Sequence, residues 1–300
     1  MSGRGAYVRL LAAAVCVCLI ATGRIHLGVA GLAAGQAPRR IVSLVPSVTE
    51  ILFAIGAGPR VVGVSSFDHF PPAVDALPRV GALVDPDIER VLALRPDLVI
   101  TYGSQTDVSA KLRAAGIATF VYRHGSLADI AAAMRELGRR LGLDREAARA
   151  ADALEQELAG IRARVQGLAR PKTMIVIGRE PRSLRGINVS GGYGFLHDLA
   201  ELAGARNIFA DIKRESLLVT AETVLARAPE LIIELHYTET ASPGLVEHER
   251  QTWSVLSTVP AVRHGRIELL FGGELVVPGP RVPEAARAFA RAIHPGVAWR

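Results

Sequence analysis

The chain has 300 residues, 50% hydrophobic and 5% aromatic, with 35 basic and 29 acidic residues and a formal net charge of +6. It is too apolar to be disordered, and with no uninterrupted apolar run of 18 residues it is not a multi-span membrane protein. Cys16 and Cys18 are its only cysteines, which excludes a disulfide scaffold.

The basic excess does not point to nucleic acid. Lys111, Lys172 and Lys213 are the lysines, and the other basic residues are arginines scattered among acids, as in Asp144-Arg145-Glu146. No block of five like charges occurs, so no nucleic-acid partner is expected.

In chain order, residues 1–37 read as an address. Arg4 and Arg9 precede the apolar run 10–21, a basic segment followed by a short hydrophobic one. Ala21-Thr22-Gly23 and Ala33-Ala34-Gly35 offer two small-residue cleavage sites, and Arg24 interrupts the apolar stretch. Residues 1–37 are expected to be a signal peptide and the protein to be periplasmic or exported. The alternative is membrane tethering by an uncleaved N-terminus. Cleavage removes Arg4, Arg9 and Arg24 but no acid, so the charge falls to 6 − 3 = +3 and both cysteines are lost.

Residues 38–143 alternate short apolar strands with helices. A strand at 40–45 is followed by Ser47-Val48-Thr49-Glu50, which reads as a capping box opening a helix that ends near Gly56. Strands follow at 61–65, 97–101 and 118–122, with helices at 87–94 and 105–115. Short apolar strands separated by helices imply a parallel sheet covered on both faces.

Residues 144–170 differ. Ala147, Ala151, Leu154, Leu158, Ile161, Val165 and Leu168 recur at alternating spacings of four and three, the apolar stripe of one long helix. Asp144 can cap it, and Pro171 lies beyond its end. It is expected to be a spine between two lobes. Residues 171–300 then repeat the alternation, with strands at 173–178, 230–235 and 266–271 and helices at 193–203, 220–227 and 283–293. The expected fold is α/β: two Rossmann-like lobes with parallel sheets, joined by one long rigid backbone helix.

An internal repeat supports two related lobes. Glu89-Arg-Val-Leu-Ala-Leu-Arg-Pro-Asp-Leu-Val-Ile100 and Glu222-Thr-Val-Leu-Ala-Arg-Ala-Pro-Glu-Leu-Ile-Ile233 share seven of twelve residues at an offset of 222 − 89 = 133. The apolar matches read as the core face of a helix and the buried strand after it. Glu89 and Glu222 each sit in a first helical turn, where the helix dipole stabilises a carboxylate by about 0.3–1 kcal/mol. Alternatively, the two carboxylates face one way and dock on basic pockets of a symmetric partner.

Ligands of parallel α/β sheets bind beyond the carboxyl ends of the strands. Phe67, Tyr102, Tyr122, Tyr237 and Phe271 fall in such segments, with His69, His124 and His236. Asn188-Val-Ser190-Gly-Gly-Tyr193-Gly194 precedes a helix and lets backbone approach a ligand. An aromatic cleft with a few polar groups is expected. The sequence contains no GxSxG, P-loop, HExxH or paired carboxylate motif, and no metal-ligand spacing among its histidines. No catalytic residue, metal site or cofactor is expected.

These segments together resemble the periplasmic substrate-binding proteins of metal-chelate ABC importers, which carry vitamin B12, ferric siderophores or haem. RIVSLVPSVTEILFAIGAGPRVVGVSSFDHFPP, PDIERVLALRPDLVI and VTAETVLARAPELII carry the resemblance, which spans about residues 39–295. SSFDHFPP is most similar to the text of the vitamin B12-binding members, although Leu83 and Ser216 stand where those have tryptophans. The resemblance implies two lobes, a rigid spine and one chelate in the cleft. It also implies that Glu89 and Glu222 dock on the permease dimer. Phe67 and Tyr102 align with corrin-flanking aromatics, and Pro280-Arg281 also resembles the family. Candidate ligand-binding residues are Phe67, His69, Tyr102, Asn188, Ser190, Tyr193, His236, Tyr237 and Arg281. A corrinoid is the first ligand expected, a ferric siderophore or haem the alternative. A tetrapyrrole chelatase-like enzyme of similar two-lobed build is the reading from another class.

Overall fold

The computed structural model describes residues 37–123, 125–237 and 244–299. The signal-peptide reading of the first 36 residues and the strand-end His124 therefore lie outside the described residues.

The first sheet contains β1 (Ile41–Ser43), β2 (Val61–Val64), β3 (Leu98–Tyr102) and β4 (Ala118–Tyr122) in the order β2-β1-β3-β4, with every pairing parallel. Central strand β1 is fully buried, Ser43 included, as expected of a strand covered on both faces. Helices α1 (Pro46–Ala54), α2 (Ile88–Ala93) and α3 (Thr106–Ala114) make the crossovers.

The expected capping box at Ser47 does not form. Pro46, whose missing N–H costs nothing in a first turn, starts the helix two residues earlier, with Val45 at the cap and Ser47 inside the helix. The carboxylate of Glu50 turns elsewhere, to Arg281. A true capping box opens α4 (Leu127–Leu141), where Asp129 accepts from the Ser126 amide at 2.7 Å and its hydroxyl at 2.8 Å.

The spine is α5 (Asp144–Val165), 22 residues and about 33 Å long. Leu143 rather than Asp144 occupies the cap position, and the helix ends at Val165 rather than running on to residue 170. Ala147, Ala151, Leu154, Leu158, Ile161 and Val165 are all buried, as their spacing predicts, whereas the seventh member of the stripe, Leu168, lies beyond the helix end and is exposed. They belong to one apolar cluster that also holds Ile41 and Ile51 on one side and Ile175, Leu199 and Phe289 on the other. The spine is therefore packed into a core common to both sheets.

The second sheet contains β5 (Lys172–Gly178), β6 (Ile187–Ser190), β8 (Ser216–Val219), β9 (Leu231–His236) and β10 (Ile267–Phe271) in the order β10-β9-β5-β6-β8, with the short β7 (Arg206–Asn207) beside β5. Strands β5, β7, β9 and β10 are parallel, as expected, whereas β6 runs antiparallel to both β5 and β8. Residues 179–186 explain the reversal. A parallel return needs a crossover of roughly a dozen residues or more, and this link is too short. Helices α6 (Phe195–Leu202), α7 (Ala221–Arg227), α8 (Leu245–Trp253), α9 (Pro260–Arg263) and α10 (Val282–Ile293) complete this half.

Candidate functional site

Strands β3 and β4 end side by side at Tyr102 and Tyr122, whose rings meet edge to face with centroids 6.1 Å apart. Burial raises the pKa of both phenols, that of Tyr122 to about 12, so both stay protonated hydrogen-bond donors at neutral pH. They line a cavity of about 320 Å³ with Gly103, Ser104, Arg123 and, from the other half of the chain, Glu215.

Glu215 also lines a second cavity of about 300 Å³ at the carboxyl end of β5 and the start of α6. Its walls include Ile177, Asn188, Tyr193, Ser216 and Tyr237, with Gly194, Phe195 and Leu196 at the helix start. The hydroxyl of Tyr237 donates to the Ile177 carbonyl at 3.1 Å, which fixes its ring although the side chain is largely exposed. Tyr193 is held by the turn before it. A Cβ on Gly192 would lie 2.2 Å from the Ala210 carbonyl oxygen, so only glycine admits this approach of two backbone segments.

The structure thus brings Tyr102, Asn188, Tyr193 and Tyr237 to two cavities that share one wall residue. The remaining candidates are placed differently. Phe67 is 64% exposed and lines neither cavity. The turn behind it is tightly tied: Asp68 accepts from the Ser65 amide at 2.8 Å and its hydroxyl at 2.5 Å. Arg79 closes that turn by donating to the Ser65 and Asp68 carbonyls. His69, on the same loop, is exposed. Ser190 is fully buried and donates to the Gly191 carbonyl at 3.2 Å.

His236 stacks on Phe271 with centroids 4.9 Å apart and places Nε2 3.5 Å from Glu234 Oε1. Beneath it lies a buried ionic group. Arg179 pairs with Glu234 at 3.1 Å and with Glu249, and Trp253 donates to Glu234 at 2.8 Å. Burial opposes the charge of Glu234, but His236, Trp253 and Arg179 outweigh it and hold its carboxyl below the ordinary range. This group supports the end of β9 from which Tyr237 projects.

Arg281 joins the two halves. It donates through Nε and Nη2 to Glu50 and through Nη1 to Glu274 at 3.2 Å, with its guanidinium 4.2 Å from the Phe70 ring centroid. Its donors are therefore engaged by carboxylates of the protein. Local patterning missed Glu215 as a wall residue, because it sits in a loop without periodicity.

Glu89 and Glu222 occupy the same position on equivalent short helices, two residues after the caps Asp87 and Thr220. Both are exposed. The Thr220 hydroxyl holds the Glu222 carboxyl below the ordinary carboxylate range. Among the described residues, no cluster of three metal-ligating side chains occurs and no helix is long and apolar enough to cross a membrane.

A parallel sheet and a mixed sheet, packed on one spine with a cleft at their strand ends, define the architecture of a solute-binding protein. The chain belongs to the periplasmic binding protein family, whose model matches residues 41–270. It is 30% identical over 225 residues to the vitamin B12-binding protein of Salmonella paratyphi A, covering 74% of this chain and 80% of that one. It is 27% identical over 266 residues to the ABC transporter substrate-binding lipoprotein YvrC of Bacillus subtilis, covering 86% and 81%. Among solved structures, the vitamin B12-binding protein BtuF of Vibrio cholerae superposes with a TM-score of 0.73 at 25% identity, over 86% of this chain and 97% of that one. A periplasmic haem-binding protein of Pseudomonas aeruginosa gives 0.74 at 26%, over 87% and 94%. The chain is thus a periplasmic binding protein whose relatives include vitamin B12-binding and haem-binding proteins. Its relatives are substrate-binding transport proteins.

Proposed function

We propose that this protein is exported, captures a metal chelate in the strand-end cleft between its two sheets, and delivers it to the permease dimer of an ABC importer. Cobalamin or a related corrinoid is the first ligand. The observation that carries the reading is the pair of cavities that meet at Glu215, walled by Tyr102 and Tyr122 on one side and by Tyr193 and Tyr237 on the other. Flat aromatic and aliphatic walls with a few hydroxyl and amide groups suit a large macrocycle whose faces are apolar and whose rim is polar. Binding is non-covalent, with no chemical step. Phe67 and His69 flank the same end of the first sheet, and Asn188 supplies a polar contact. Glu89 and Glu222 serve as the docking carboxylates.

The test is calorimetric titration of the purified protein with cyanocobalamin, haemin and a ferric hydroxamate siderophore. The expected result is saturable one-to-one binding of cyanocobalamin tighter than the other two. Saturation by haemin or the siderophore alone would move the protein to that branch of the family. Binding of none of the three would overturn the reading.

A further inference from the structure

The repeat that marks Glu89 and Glu222 also preserves a leucine three residues after each, Leu92 and Leu225. Core packing accounts for the neighbouring match but not for this one. Val91 and Val224 are fully buried, whereas Leu92 is 39% exposed and Leu225 42% exposed. The apolar-core expectation for these two leucines is therefore corrected. On a helix, residues three apart share a face, so each leucine stands on the same face as its glutamate. Asp87 and Thr220 already cap the two helices, accepting from Arg90 at 2.9 Å and from Thr223 at 3.4 Å. Neither capping nor the dipole gives a reason for an exposed leucine.

A single exposed leucine is ordinary. Two that match in sequence offset, helix position, exposure and acidic neighbour form a patch presented twice. We propose that Leu92 and Leu225 are the apolar halves of two equivalent docking patches, each completed by Glu89 or Glu222, on which the twofold permease seats a cation beside an apolar socket. This rests on the reading above that the two glutamates dock on that permease. Charge complementarity assigns the occupant: an acidic group bordered by an apolar side chain fits a basic group bordered by an apolar pocket. Its duplication fits a partner that offers the same surface twice. The expected division of labour is that the glutamates set the encounter and its salt dependence while the leucines hold the complex.

The experiment measures binding of the full protein to its importer in lipid nanodiscs at about 50 and about 500 mM salt. It compares wild type, Leu92→Ser with Leu225→Ser, and Glu89→Gln with Glu222→Gln, with thermal unfolding of each. The leucine pair is expected to weaken binding about tenfold or more at both salt concentrations, with the melting temperature unchanged. The glutamate pair is expected to weaken binding at low salt and flatten the salt dependence. Wild-type binding by the leucine pair alongside weakened binding by the glutamate pair would overturn this inference and leave the docking reading standing. Wild-type binding by both pairs would remove the docking reading itself. A lowered melting temperature in the leucine pair would make the leucines structural and also overturn the inference.

Discussion

Arg281 and Glu50 lie 231 positions apart in the chain, yet Nη2 of the arginine sits 2.6 Å from Oε1 of the glutamate and Nε 3.0 Å from Oε2. The glutamate side chain is 4% exposed and the arginine 17%. Burial opposes both charges. It wins at Glu50, whose carboxyl pKa is raised, while at Arg281 the hydrogen bonds of Glu50 outweigh it and keep the guanidinium charged. The pair fastens α1 of the first half to the segment before α10.

Removing one partner from this pair strands the other. Arg281→Met should destabilise the protein by about 3 kcal/mol, because a desolvated carboxylate loses its counter-charge. Arg281→Met combined with Glu50→Leu should recover most of that loss. Denaturant unfolding of the single and double variants measures both. Equal losses in the two would show that the pair acts through packing alone.

The cavity tyrosines should dominate ligand affinity. Tyr102→Ala, Tyr193→Ala and Tyr237→Ala are each expected to weaken cyanocobalamin binding about tenfold, the loss of one aromatic wall. Phe67→Ala, at an exposed ring outside both cavities, should cost less. The same calorimetric titration ranks them. A larger loss for Phe67 than for all three tyrosines would move the site onto the loop after β2.

His294 should make stability fall in mild acid. It is buried, and burial lowers its pKa, aided by the charge of Arg266 and opposed by the Ala203 backbone. A histidine whose folded pKa lies below its unfolded value contributes stability above the unfolded pKa, about 6.5, that is lost as pH falls. Unfolding free energies between pH 7 and pH 5 should therefore slope less steeply in His294→Gln than in wild type. Parallel profiles would remove His294 as the cause.

Export should remove both thiols. The secreted protein is expected to have a mass lacking the first 20 to 40 residues, roughly, and to give no reaction with a thiol reagent, since Cys16 and Cys18 precede both cleavage sites. Labelling at Cys16 in the exported protein would instead mean a retained N-terminal tether.

The periodic parts of this fold were legible in the sequence. The spine stripe from Ala147 to Val165 and the short apolar runs that became β3, β4, β5 and β9 are set by local apolar patterning, and they form close to where that patterning puts them. What depends on distant partners was not legible. Glu50 reads as a cap because Ser47 stands three residues before it, while its actual partner lies near the other end of the chain. Arg281 is a candidate ligand contact only through the family resemblance of Pro280-Arg281, which says nothing of its pairing with Glu50. Asn188 and Ser190 are two apart on one strand and look alike, but Asn188 is half-buried in a cavity wall, whereas Ser190 is fully buried and spends its hydroxyl on the Gly191 carbonyl. The antiparallel course of β6 follows from the length of a link, which carries no hydrophobic signal.

The core shared through the spine also governs how the molecule comes apart. Ile41 of the first sheet and Ile175 of the second belong to the same apolar cluster, with the spine residues between them. Neither half can lose its share of that cluster without exposing apolar surface on the other, so the two-lobed body should melt in one calorimetric transition. A protease acting on the native protein should then find no separately unfolded lobe to cut.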